Sequence, residues 1–326
     1  MADFLKATSA VFVIFLLMSV GYLLGRLGWM TKDEKRFLSK YLVNLAVPVN
    51  CVVGLLNNFT REDLLHAGLP LLTAVLVVGL SLLLSAGVAT LLKLPKNRWG
   101  VFVAMGGISN TMFIGMPMTQ QLFGAESLPF MMTYYLGSTV YTQTVAVMLC
   151  ERAGTNGGQK KFKLHAMLLD MFKKPPVIGI CLAVVMLILN LRFPAVIMDT
   201  AGYISKTLTP LAMMYCGFIL YEVGFKNLRL LPGLPTMLLL RLVVSPALCF
   251  VMCRLFGVAG LTRDIFVVMA ALPTVTQVTV MAGAYGADEQ YSAVGSCLSL
   301  LGIFITIPVI MTLLKNKKNR PVGQCH

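Results

Sequence analysis

The stretch GGISNTMFIGMPMTQQLFG, residues 106–124, falls within an apolar run long enough to cross a membrane, yet its centre is built from residues that interrupt a helix. Pro117 has no backbone N–H and crowds the turn before it, so Gly115 and Pro117 read as a break, with Ser109, Asn110 and Thr111 at the same depth. The stretch FVVMAALPTVTQVTVMAGAYG, residues 266–286, repeats the arrangement with Pro273 at its centre and Thr274, Thr276 and Gln277 beside it. A lone break would read as a proline kink satisfied by neighbouring hydroxyls. Backbone groups freed at membrane depth are tolerated only where protein buries them or a watery cavity receives them, so two matched breaks point to a central site.

Around these stretches the chain is 57% hydrophobic and 12% charged, with the charges gathered between apolar runs, which excludes an ordinary globular enzyme. Uncharged or nearly uncharged runs cover 7–25, 41–60, 67–92, 99–125 and 127–150, then 175–191, 207–221, 234–253, 265–287 and 290–314. Each is close to the length that spans a bilayer as a helix, the seventh being short and the eighth interrupted by Arg241. The expected fold is therefore an all-α polytopic membrane protein of ten transmembrane helices, since short segments of alternating polarity, the mark of a β-barrel, are not seen. The first run is long, lacks a strongly basic leader and precedes nine more, so it reads as a retained span and not a cleaved signal.

Residues 151–174 form a polar, basic interval that divides the chain almost evenly, predicting a five-helix unit over 1–150, a second over 175–314 and a basic tail over 315–326. Weak internal similarity supports the division. LSKYLVNLAVP from Leu38 resembles ISKTLTPLAMM from Ile204, and LFGAE from Leu122 resembles AYGAD from Ala284, at nearly the same offset. Five is odd, so the second unit must enter from the opposite side, giving repeats of inverted topology with broken helices 4 and 9. Lysine and arginine bias, led by Lys32, Lys35, Arg36 and Lys40 and by the 151–174 loop, puts that loop in the cytoplasm and the N-terminus outside. Lys315, Lys317, Lys318 and Arg320 of the tail argue the other way.

A formal charge of +14 would suggest nucleic acid in a soluble protein, but here the basic residues lie in short loops where they set orientation and meet anionic lipid, so no nucleic-acid partner is expected. The 8 cysteines are scattered, mostly in apolar runs and without a Cys-x-x-Cys pair, and read as small core residues with no metal site. No phosphate loop, G-x-S-x-G or H-E-x-x-H occurs, and the 3 histidines lie in loops or tail, so neither a cofactor nor enzymatic chemistry is expected. The 13 acids fall in loops or at span ends, which disfavours cation antiport through mid-membrane carboxylates.

At a broken helix the half-helix N-termini present positive dipole ends to an anion, while amides and freed carbonyls coordinate a cation or a substrate hydroxyl. Asn110 and Gln277 are the first candidates for substrate contact, followed by Thr111 and Thr276. Asn44 and Arg241 are secondary candidates, and Pro48 and Asn50 beside Asn44 in the second run, with Pro210 in the matching seventh run, are candidate cavity-lining residues. Helix-to-helix hydrogen bonding accounts for the asparagines equally well, and for Arg241 pairing, ligand contact and snorkelling are all open. Tyr134, Tyr135, Tyr141 and Gln143 of the fifth run read by default as packing or interfacial residues, and Gly21 with Gly25 fits G-x-x-x-G, a pattern frequent by chance.

SNTMFIGMP at Ser109 to Pro117, followed by Phe123 and Gly124, resembles the fourth-span pattern of the auxin efflux carrier family, which includes plant PIN carriers and bacterial carriers proposed for malate, malonate and related acids. Pro273 and the ending Tyr285-Gly286-Ala287-Asp288 are similar to the ninth span, and the similarity runs through almost the whole chain, although Gln277 stands where an Asn is often found. The resemblance implies a scaffold and a transport domain, proline crossovers at the centre, elevator-like alternating access and commonly a homodimer. It also implies a secondary carrier of a small organic anion in the cytoplasmic membrane; a proton, a sodium ion and the membrane potential alone are all open as the driving force. The competing readings are a membrane sensor that keeps the cavity but signals to a partner, and an intramembrane enzyme, for which no nucleophile with a base is in view.

Overall fold

The computed structural model describes residues 2–58, 60–62, 68–124, 127–154, 173, 175–224 and 231–318; most of the 151–174 loop and the tail beyond 318, with their expected topology, lie outside the described residues. Among the described residues the fold is helical, with a single isolated β-bridge. In chain order the helices are α1 (Ala2–Arg26), α2 (Lys32–Tyr41), α3 (Val47–Asn58), α4 (Gly68–Leu91), α5 (Lys96–Gly107), α6 (Met116–Phe123), α7 (Leu128–Tyr141) and α8 (Val147–Ala153). The second part holds α9 (Pro175–Ile188), α10 (Ala195–Val223), α11 (Leu234–Leu239), α12 (Ser245–Leu255), α13 (Gly260–Ala270), α14 (Gln277–Tyr285) and α15 (Glu289–Lys318).

Four described stretches, Lys32–Asn57, Gly68–Leu91, Leu234–Leu255 and Glu289–Leu314, are long and apolar enough to cross a bilayer unaided. The runs at 99–125 and 265–287 do not qualify for the reason their sequence announced. They are split into α5 and α6, and into α13 and α14, each piece too short to span. The run expected to be short, 207–221, belongs to a helix of 29 residues. Asp199 and Lys206 interrupt its apolar signal without breaking the helix, because polar side chains on a helix surface leave its backbone ladder intact.

Among the described residues, four π-helical turns punctuate the long helices: Leu42–Ala46, Thr111–Gly115, Thr142–Ala146 and Leu240–Val244. Three end two residues before a proline, namely Pro48, Pro117 and Pro246. A proline nitrogen has no hydrogen to give to the carbonyl one turn back, and a widened turn carries the helix through that gap. The fourth has no proline; there Thr142 and Thr144 turn their hydroxyls back onto the carbonyls of Ser138 (2.9 Å) and Val140 (2.5 Å), competing with the backbone ladder.

Helix α1 packs along α10, and α3 lies against α9 and α10, while α4 supports α5 and α7, and α14 lies between α8 and α15. The contact of α1 with α10 is a backbone contact. A Cβ at Gly21 would overlap the carbonyl oxygen of Met214, one at Gly217 that of Met18, and one at Gly25 the Tyr221 ring, so the G-x-x-x-G pair is used inside this chain. Within α5 and over α13 and its C-terminal end the chain is buried without interruption, from Val101 to Met105 and from Ile265 to Leu272. Large apolar side chains such as Leu83 and Ile305 instead face outward, as a lipid-facing surface requires. Several hydrogen bonds join residues at nearly one separation: Tyr41 with Thr207 at 166, Ser81 with Ser245 at 164, and Asn110 with Thr276 at 166.

Candidate functional site

The two interrupted helices cross at their breaks. Ser109 and Thr274 form the isolated antiparallel bridge, the Asn110 amide donates to the Pro273 carbonyl at 2.9 Å, and the Val275 amide donates to that of Ile108 at 3.4 Å. The Thr274 amide donates to Ser299 Oγ on α15 at 3.2 Å. Groups that each break frees are thus satisfied by the other break or by a neighbouring hydroxyl, as membrane depth demands. Gly115 permits the close approach, since a Cβ there would press on Leu272 and Met269 beside the second break.

Beside the crossing lies a buried polar cavity lined by Asn50, Ser109, Asn110, Thr111, Tyr135, Thr139, Thr142, Gln143, Val275 and Gln277. Gln143 Nε2 donates to Gln277 Oε1 at 3.1 Å, and Asn110 Nδ2 donates to Thr276 Oγ1 at 3.2 Å. Gln143 Oε1 and Ser109 Oγ are buried and make no hydrogen bond of normal geometry among the described residues. Such orphaned acceptors inside a protein call for a water or a ligand group. The cavity volume is about 20 Å³, room for one water molecule and too little for an organic anion.

Two helix N-termini meet this cavity: Thr111 opens the helical stretch that continues into α6, and Gln277 opens α14. Their positive dipole ends point at a lining that, among the described residues, contains no carboxylate. The opposite ends, the C-termini of α5 and α13, are occupied by Arg241, which is fully buried. Its guanidinium donates to the carbonyls of Gly106 (3.4 Å) and Ala270 and to Ser245 Oγ (2.9 Å). A cation beside two helix C-termini is electrostatically favourable, and the planar fork supplies donors to carbonyls the breaks would leave bare.

The sequence candidates therefore separate. Asn110, Thr111 and Gln277 line the cavity. Thr276 holds the Asn110 amide but faces a second, smaller cavity of about 10 Å³ together with Pro273, Thr274 and Met213. Arg241 is not brought to the cavity, because the half-helix carbonyls engage it; nor is Asn44, which is exposed and donates to the Lys40 carbonyl at 2.9 Å. Asn50, a candidate lining residue beside Asn44, does line the cavity and accepts the Ser205 hydroxyl at 2.8 Å. Tyr135, Thr139, Thr142 and Gln143 of the fifth run are lining residues, and their recurrence at helical spacing is a signal the sequence contained. Tyr134 instead packs edge-to-face on Phe266 with ring centroids 5.2 Å apart.

Comparison with known proteins places this geometry in context. The sequence profile of the family described as "Membrane transport protein" matches residues 6–311. An uncharacterized transporter of Methanocaldococcus jannaschii is 24% identical over 287 residues, covering 87% of this chain and 91% of its own. One from Methanothermobacter thermautotrophicus is 26% identical over 321 residues, covering 95% and 99%. The uncharacterized transporter YfdV of Escherichia coli K12 is 20% identical over 298 residues, covering 91% and 94%.

Proposed function

The chain belongs to the membrane transport protein family, the auxin efflux carrier family that its broken spans resemble, and from that premise we propose that it is a secondary active transporter of small organic anions. One observation carries the choice of an anion: two half-helix N-termini open onto a buried cavity of amides and hydroxyls, without a carboxylate among the described residues, while Arg241 occupies the C-termini that would attract a cation. Asn110, Thr111 and Gln277 hold the substrate carboxylate or its hydroxyls, with Asn50 and Gln143 as further donors.

In this reading ten helices cross the cytoplasmic membrane as two inverted repeats, the N-terminus lies outside, and the protein works as a homodimer. Hydrogen bonds between residues 164 to 166 apart support the repeat, because residues near a two-fold pseudo-axis meet their own counterparts. The small volume of the cavity supports alternating access, which we take to be elevator-like: the occluded site admits its guest only after the crossing shifts against its surroundings.

The test is uptake of labelled mono- and dicarboxylates, malate and malonate included, into liposomes containing the purified protein. Asn110→Ala and Gln277→Ala each remove a hydrogen-bonding group from a desolvated anion site, and apparent affinity is expected to fall about ten- to hundredfold with thermal stability preserved. Folded variants that transport every acid as the wild type does would sink this site. Specific binding without flux in the wild type would favour the sensor reading.

A further inference from the structure

Away from the crossing, two carboxylates that the sequence placed at span ends are drawn together on one lysine. Lys35 Nζ on α2 lies 2.7 Å from Glu222 Oε2, near the end of α10, and 2.7 Å from Glu289 Oε1, the first residue of α15. The other oxygen of Glu289 accepts the hydroxyl of the buried Tyr215 on α10 at 2.8 Å. Gly283 of α14 closes over this contact, since a Cβ there would collide with both partners. The three charged side chains keep only 16%, 18% and 22% of their surface accessible, so water screens them poorly. The adjacent Asp288 is held separately by Arg98 at 2.8 Å. With both glutamates ionised the cluster carries one negative charge in excess, and one proton neutralises it.

The groups around Glu289 belong to two differently connected sets of helices. Glu289 stands on α15, whose Ser296 and Ser299 hydroxyls meet Thr274 at the crossing (3.1 and 3.3 Å) and whose Ser292 meets Thr279 on α14 (2.8 Å). Lys35, Glu222 and Tyr215 stand on α2 and α10, which are tied to each other by Tyr41 and Thr207 at 2.8 Å and which also touch the first set through Ser39 of α2, whose hydroxyl donates to the Val280 carbonyl of α14 at 3.3 Å. A shift of the crossing relative to α2 and α10 must therefore pull Glu289 from its lysine and its tyrosine. As a carboxylate it would leave as a poorly solvated, unpaired charge, which is costly; as a carboxylic acid it leaves neutral. Lys35 retains Glu222 in either case, so no cation is stranded.

We infer that Glu289 is the binding site of a coupling proton, taken up as the Lys35–Glu289 bond breaks and an O–H bond forms on the carboxyl, and released when the pair re-forms. The inference rests on the transport reading above and extends it by naming the coupling ion and the residue that carries it.

Two measurements on the full-length protein in liposomes test it. Infrared difference spectra across a pH titration need no substrate: the protonated-carboxyl C=O band that grows as pH falls is expected to lose a component in Glu289→Gln and to keep it in Glu222→Gln. An unchanged band in Glu289→Gln overturns the proposal, whether or not the protein moves carboxylates. In the second, labelled malate accumulation driven by a pH gradient is expected to be lost in Glu289→Gln, while exchange of internal for external malate persists. Retained gradient-driven accumulation, or loss of exchange along with it, overturns the coupling role. A failure of the wild type to move any acid would strike the transport reading and leave the proton site to the infrared result.

Discussion

Arg241→Leu is expected to lower stability by about 3 kcal/mol or more, the cost of the buried groups it leaves unpaired, read as an earlier thermal unfolding midpoint in detergent. Opposing terms decide the sign. Leucine relieves the cost of burying an ion, but it leaves the carbonyls of Gly106 and Ala270 and the Ser245 hydroxyl without this donor, each at about 1–3 kcal/mol. It also fills less of a site in which Arg241 has no exposed surface. The carbonyl terms win because both lie at helix C-termini, where neighbouring dipoles add to the lost attraction. Arg241→Lys keeps the charge but not the fork and should fall between the two. A leucine variant as stable as wild type would refute the capping role, and a stable lysine variant that cannot transport would return Arg241 to the substrate.

Gly217→Val is the second change with a large expected effect. Helices α1 and α10 touch through backbone, with no room for a side chain between Gly217 and Met18 or between Gly21 and Met214. Two added methyl groups and a Cβ must push the helices apart along their whole contact, costing about 3 kcal/mol or more, because overpacking a close interface cannot be relieved by rotating one side chain. Gly202→Ala on the same helix provides the contrast. Nothing lies within 4 Å of its Cβ position, so helix propensity alone acts and stability should rise by up to about 1 kcal/mol. Similar melting temperatures for the two variants would show that the backbone contact does not hold α1 in place.

The breaks in the fourth and ninth apolar runs were legible because proline, glycine and clustered hydroxyls are local signals, and the cavity formed where those signals stood. Arg241 was legible only as an anomaly. Besides Ser245 Oγ, its acceptors are backbone atoms of Gly106 and Ala270, whose carbonyls resemble all others in sequence and become special only where two helices end side by side. Asn44 and Asn50 were indistinguishable as polar residues in one span. They differ by six positions, roughly 240° around a regular helix, and a π turn at Leu42–Ala46 shifts that angle further, so periodicity could not tell which faces inward. The Lys35 cluster was illegible for a related reason: its members come from three distant helices, and each alone reads as a charge at a span end.

The π turns carry one more consequence. A widened turn accommodates one residue more than a regular helix would, so everything beyond it is rotated by about 100° relative to everything before it. Along α7 and α8 this sets Tyr135 and Thr139, ahead of Thr142–Ala146, and the face of α8 that meets α14 in one working phase. A chain shortened by one residue there would form a more regular helix with the same apolar content, yet it would aim one of those two faces at the wrong neighbour. In this region the length of the chain, counted to the single residue, is itself part of the site.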